Sequence, residues 1–236
     1  MDRTIISQLA EWQKKEGRKP LILKGARQVG KTWVLKEFGR RCFKKTAYIT
    51  FFKNQRMKDV FEGDYNLERI LTNINIECKT EVTPEDTLII FDEIQECPRA
   101  LEVLKYFCEE TPEYAVAAAG SLLGLALHKD ISFPVGKVDS MNMYPLSFRE
   151  FLMAMGENQL AAVLTESDTG LINDFHGTYS YWLKNYMYVG GMPEIVKYFS
   201  EHKNYEEVRA MQNQILADYE DDFGKHIPKA HPNCNI

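Results

Sequence analysis

KPLILKGARQVGKTW, Lys19 to Trp33, reads in succession as a short apolar strand, a glycine-bounded loop and the first turn of a helix. Within it Gly25, Gly30, Lys31 and Thr32 fill the spacing G-x-x-x-x-G-K-[ST], a phosphate cradle when it lies between a strand and a helix. The context is met on both sides. Pro20, Leu21, Ile22 and Leu23 form an apolar run before the loop, and Val34, Leu35 and Phe38 return at helical spacing after it. Gly25 lets the chain turn sharply out of the strand, and Gly30 lets loop N–H groups approach phosphate oxygens with no Cβ in the way. Lys31 reaches the terminal phosphates. Thr32 offers a hydroxyl to Mg²⁺ in the first turn of a helix whose N-terminus already favours anions. The bland alternative is a surface glycine turn ahead of an ordinary helix, and the apolar flanks argue against it. The expected nucleotide-binding set is therefore Gly25, Ala26, Arg27, Gln28, Val29, Gly30, Lys31, Thr32 and Trp33, with Mg²⁺ as the ion.

Working outward, the next informative stretch is TLIIFDEIQECP, Thr87 to Pro98, in which four consecutive apolar residues end in adjacent carboxylates. Unbroken apolarity suits a central parallel strand covered on both faces, and ligands of such sheets sit beyond the carboxyl ends of the strands. Asp92 can hold Mg²⁺ there, and Glu93 can polarise a water for attack on a γ-phosphate. Two carboxylates after a strand are often only a solvated loop. The cradle upstream gives them a partner.

The remaining chain supports an alternation of strands and helices followed by helices alone. Residues 2 to 16 form an amphipathic helix with Ile5, Ile6, Leu9 and Trp12 on one side, and Thr46–Phe52 is a second strand. A polar segment leads to a helix over Asn66–Ile76, and Pro98 opens another with Leu101, Leu104, Phe107 and Cys108 inward. Ala115–Ala119 suits a tightly packed strand ending near Ser121, and Gly136–Leu146 a fifth. Ser147 and Glu150 form a capping box for the helix carrying Phe151 and Leu152. Arg149 on that helix faces either a phosphate or solvent. From Leu160 strand signals stop. Gly190–Pro193 is a hinge-like break, and a last long helix begins at Asn204. The expected domains are an ATP-binding α/β domain over residues 1–157 and a helical lid over residues 158–236.

At 236 residues and 44% hydrophobic, the chain can bury a substantial core. No run of 18 apolar residues is present, and the charged opening MDRTIISQLAEWQKKEG lacks a signal-peptide core, so a cytoplasmic location is expected. A net charge of −5 gives no overall pull toward nucleic acid, and direct nucleic-acid binding is not expected of this chain alone. The patch Arg40, Arg41, Lys44, Lys45 is either a phosphate contact or a solvated helix end. The five cysteines are scattered without C-x-x-C spacing, which fits reduced thiols better than a disulfide frame or zinc site.

GARQVGKT, LIIFDEIQECP, AAAGSLLG, MYPLSFREFL and YVGGMPEIVKY, in this order and spacing, resemble the bacterial and archaeal AAA-type ATPases usually joined to a C-terminal restriction-endonuclease-like domain of unknown function. The resemblance covers almost the whole chain. It implies an α/β P-loop ATPase fold of the additional-strand type, with a parallel five-stranded sheet flanked by helices and a smaller helical domain after it. It also implies Lys31 and Thr32 at phosphate and Mg²⁺, Asp92 at Mg²⁺, Glu93 as catalytic base and Ser121 as γ-phosphate sensor. Ser121 fits a second role equally, as helix cap for LLGLALH. Gly191–Pro193 resembles the GxP motif of signalling-type ATPases, which implies Pro193 against the adenine. Two departures stand out. The chain has Gly136-Lys137 where the family tends to have Gly-Arg, and lysine cannot reproduce the planar fork. The family also continues past Ile236, so the C-terminal domain is missing and the chain reads as truncated.

The resulting expectation is an Mg²⁺-dependent ATPase in which binding and hydrolysis move the helical part against the core, with a homo-oligomer or protein partner in view. The alternative is a slow or non-hydrolysing nucleotide-gated interaction module. Phosphate transfer to a small acceptor is less supported, because the candidate lid Gly190–Lys197 carries no arginine.

Overall fold

The computed structural model describes residues 2–121 and 134–226, with side chains through residue 221. The chain divides into two compact units, Asp2–Pro145 and Leu146–Ile236.

The first unit runs α1 (Ile5–Lys14), β1 (Leu21–Gly25), α2 (Lys31–Cys42), β2 (Lys45–Thr50), α3 (Gln55–Glu62), α4 (Leu67–Cys78), β3 (Thr87–Asp92), a 3₁₀ turn (Ile94–Glu96), α5 (Pro98–Glu110), β4 (Ala115–Ser121) and β5 (Asp139–Met143). The five strands form one parallel sheet in the order β2-β3-β4-β1-β5. β4 thus lies between the strand that leads into the glycine loop and the strand that ends in the two acids. That inserted strand is the additional strand implied by the motifs.

Strand alternation sorts the core. Ile22, Ala47, Ile49, Ile89, Phe91, Val116 and Ala118 join one buried cluster with Met57 and Phe61 of α3, Ile70 and Ile74 of α4, and Leu101, Leu104 and Phe107 of α5. The intervening residues point to the other face, where α2 packs along β1 to β4. Gly39 of α2 comes so close to β2 that a Cβ there would sit 2.4 Å from Thr46 Oγ1 and 3.4 Å from Leu88 Cδ2. α1 covers α2, with the Trp12 and Phe38 rings 6.1 Å apart.

Three elements differ from the sequence reading. α3 lies in the segment read as merely polar. Asn54 caps it by accepting from the Met57 N–H at 3.1 Å, and only Met57 and Phe61 of its eight residues are buried, too short a stripe to show helical periodicity. β2 stops at Thr50, so Phe52 is exposed instead of paired. β5 is shorter than Gly136–Leu146 at both ends: a turn closed by Lys137 N–H to Pro134 O at 3.0 Å precedes it, and Leu146 belongs to the second unit.

The second unit is helical: α6 (Phe148–Ala154), α7 (Asn158–Glu166), α8 (Thr169–Asp174), α9 (His176–Val189), α10 (Pro193–His202) and α11 (Tyr205–His226). It begins at Leu146, ahead of α6. The capping box forms as read, Glu150 N–H to Ser147 Oγ at 3.3 Å and Ser147 N–H to Glu150 Oε2 at 2.9 Å. Phe151, Trp182, Val196, Phe199 and Val208 anchor the core of this unit.

Candidate functional site

β1 delivers the chain into the loop at Gly25, and α2 begins at Lys31 immediately after Gly30, whose φ of 91° is left-handed. A residue with a Cβ would be strained there, which is the backbone reason for glycine at that position. Gly25 has a different reason from the turn expected of it. A Cβ on Gly25 would stand 2.4 Å from the carbonyl oxygen of Met143 on β5, so glycine is required by the close approach of the edge strand. Between them Ala26, Arg27 and Gln28 are exposed, and Gln28 also takes a left-handed φ of 62°. Val29 is fully buried, so only its backbone faces the loop, and its carbonyl accepts from Arg3 at 3.1 Å. Arg3 also donates to Tyr144 O at 2.6 Å, fastening the N-terminus across the loop's base to the end of β5.

Lys31 is buried, and its ammonium lies inside the loop, donating to the carbonyls of Gly25 at 3.0 Å and Ala26 at 2.6 Å. Burial lowers its pKa from the usual lysine value, while Glu93 and Asp92 nearby pull it back up and Arg27 pushes it further down. The acids of β3 are therefore electrically coupled to the cradle lysine although β4 separates their strands.

Asp92 is the point where the two motifs meet. Strand alternation turns it, with Leu88 and Ile90, toward α2, and Thr32 Oγ1 donates to its Oδ2 at 2.8 Å. A threonine hydroxyl that spends its proton on a carboxylate keeps its lone pairs for a cation. The donor set of a hydroxyl beside a carboxylate, at the end of the loop, fits Mg²⁺, a hard ion that takes oxygen ligands and commonly shares one or two protein groups with phosphates. Thr32 and Asp92 would hold it. When bound, the ion supplies charge neutralisation at the phosphates.

A second group holds the same oxygen. Tyr48 of β2 donates its hydroxyl to Asp92 Oδ2 at 2.8 Å, and Lys36 of α2 lies 3.6 Å above its ring. Burial, then the hydrogen bond to Asp92, pushes the phenol pKa up and keeps it a donor. Glu93 follows in a left-handed backbone conformation, φ 51°, with its N–H on Asp92 Oδ1 at 3.2 Å. That conformation is costly for a residue with a side chain and directs Glu93 away from the path of the strand. Its Oε2 accepts from the side-chain amide of Gln95. Ser121, at the end of β4, is buried, stands in register with Gly25 and donates its backbone N–H to Gln95 Oε1 at 3.3 Å.

The structure thus brings Gly25, Gly30, Lys31, Thr32, Asp92, Glu93 and Ser121 to the carboxyl ends of three adjacent strands. Trp33 sits on the exposed side of α2. Pro193 belongs to the second unit, as the first residue of α10 after Gly190 (φ 76°) and Met192, and the carbonyl of Gly191 accepts from Leu146 N–H at 2.7 Å. Arg149 donates to Ala161 O at 3.4 Å within the helical unit. Lys137 pairs with Glu109 at 2.8 Å. LLGLALH, the helix that Ser121 was read as capping, lies outside the described residues. Arg3, Tyr48 and Gln95 were not singled out in the sequence. None of them carries a local signal: Tyr48 comes to the sheet face of Asp92 only through the pairing of β2 with β3, which sets it opposite Ile90.

A sequence profile of the AAA domain matches residues 17–152. The chain belongs to the AAA domain family. At the level of the family, an AAA domain is a nucleotide-binding domain. A second profile, a domain of unknown function (DUF8612), matches residues 180–234. No curated protein matches. Among solved structures the AAA domain protein is similar to a RuvB variant of Thermotoga maritima, at 14% identity and TM-score 0.50 over 84% of this chain. It is also similar to ORC1 of Aeropyrum pernix, solved in complex with DNA, at 12% identity and TM-score 0.43, covering 95% of this chain and 68% of that one. PCH-2 of C. elegans follows at 13% identity and TM-score 0.42 over 64% of this chain. The likeness to RuvB is one of fold. The chain spans 58% of the RuvB chain and 44% of the PCH-2 chain.

Proposed function

We propose that the first unit binds ATP with Mg²⁺ and hydrolyses it, and that the helical unit changes its disposition with the state of the nucleotide. One observation carries the reading: the first-turn hydroxyl of the cradle helix and the terminal acid of β3 are joined at 2.8 Å, across an intervening strand, beside a buried lysine. Loop amides and Lys31 would bind the β- and γ-phosphates, Thr32 and Asp92 the ion, and Glu93 would take the proton of the water that attacks the γ-phosphorus as ADP leaves. Ser121, buried at the end of β4 between these groups, is proposed to contact the γ-phosphate, and Pro193 the adenine. A cytoplasmic location and association into a homo-oligomer or with a protein partner belong to the same reading; no described helix is long and apolar enough to cross a membrane.

The test is phosphate release by the unsubstituted protein and by Glu93→Gln. The substitution is expected to leave ATP affinity within about threefold and to lower turnover by at least ~10²-fold, the size of a lost general base. Tight ATP binding with turnover indifferent to Glu93→Gln would reject hydrolysis at this site and favour a nucleotide-gated interaction module.

A further inference from the structure

Gln95 is a buried amide that uses both of its ends on the site. Its Nε2 donates to Glu93 Oε2, and its Oε1 accepts the backbone N–H of Ser121 at 3.3 Å. It is held there by the 3₁₀ turn Ile94–Glu96, closed by Glu96 N–H to Glu93 O at 2.9 Å and Cys97 N–H to Ile94 O at 3.0 Å, with Ile94 fully buried beneath. Resting on the ATPase reading above, we infer that Gln95 is a positioning residue. It fixes the carboxylate of Glu93 in the orientation that accepts a proton and ties that orientation to the end of β4.

A glutamate has three side-chain torsions, and an unrestrained carboxylate samples many directions, few of them aimed at a water in line with a phosphate. A donor on Oε2 removes most of that freedom and leaves Oε1 as the accepting oxygen. The donor must itself be fixed, and the Ser121 N–H fixes it. Ser121 pairs in register with Gly25, the residue from which the cradle loop departs. The link therefore runs from the root of the loop, through β4 and the Gln95 amide, to the base. A base oriented by a second buried group is the arrangement acid–base sites commonly require.

Two substitutions separate the bonds. Gln95→Met keeps the length and loses both bonds. Gln95→Glu keeps an acceptor for the Ser121 N–H but cannot donate to Glu93, and sets a carboxylate against it. ATP turnover, ATP affinity in Mg²⁺ and the thermal unfolding midpoint are measured for each, and Gln95→Met is repeated in the Glu93→Gln background. Turnover is expected to fall about 10- to 100-fold for Gln95→Met and at least as far for Gln95→Glu, with affinity within about twofold. Because Gln95 acts through Glu93, the double variant should turn over no more slowly than Glu93→Gln alone. The inference is overturned if either single variant turns over within about twofold of the unsubstituted protein, if affinity falls in parallel with turnover, or if the double variant loses a further tenfold. Turnover that depends on Glu93 but not on Gln95 removes this inference alone. Turnover independent of Glu93 removes the ATPase reading, and this inference with it.

Discussion

The ammonium of Lys31 is costly where it lies, since burial lowers its pKa below the ordinary 10.5 against the opposing pull of Glu93 and Asp92. The sign follows from linkage. Between the lowered folded value and 10.5 the unfolded chain still holds the proton and the folded chain has lost it, so folding stability rises with pH across that window. Binding runs the other way, because the protonated lysine is the form that meets a polyphosphate. ATP affinity should therefore decline on the alkaline side, starting below pH 10.5, and that pH dependence should vanish with a side chain that stays charged. Titrating ATP affinity from about pH 7 to about pH 10 in the unsubstituted protein and in Lys31→Arg tests this. The expected result is a falling curve for lysine and a flat, weaker one for arginine; the same decline in both would place the titrating group elsewhere.

At the scale of the element, β1 and β5 approach each other so closely at Gly25 that a methyl group has no room beside the Met143 carbonyl. Gly25→Ala should push β5 outward and cost about 1–3 kcal/mol, read as a lower thermal or denaturant midpoint. A loss under ~0.5 kcal/mol would mean that the edge strand yields freely. This glycine also marks the limit of sequence reading. Its type and spacing were legible, but its physical reason was a neighbour 118 residues away (143 − 25), invisible to any local pattern. β1, α2, β3, α5 and the Ser147–Glu150 box were legible because local apolar spacing and capping chemistry coincide with the tertiary outcome. α3 was not, because its burial rests on Met57 and Phe61 alone. The Thr32–Asp92 contact was foreshadowed by two motifs, whereas Tyr48 and Gln95 are ordinary strand and turn residues until the sheet order brings them beside the acids.

At the scale of the whole molecule, each unit carries its own buried cluster. In the helical unit the Phe151 ring meets Trp182 edge-on at 6.3 Å and Tyr186 at a tilt at 5.4 Å, and stacks on Phe199 at 6.5 Å. Phe151→Ala should remove about 3–5 kcal/mol from that unit. Hydrogen exchange should then accelerate in α6, α9 and α10 while β1, β3 and β4 keep their protection. Equal acceleration in the strands would show one cooperative body. Above both units stands the claim that one polyphosphate and one divalent ion are held between the β1 loop and the β3 acids. It is tested most directly by calorimetric titration of ATP, with and without Mg²⁺, into the folded unsubstituted protein and into folded Lys31→Ala. The account predicts Mg²⁺-strengthened binding that drops at least ~10-fold on loss of the ammonium, the size of a charged hydrogen bond. Equal ATP affinity in the two proteins would contradict it.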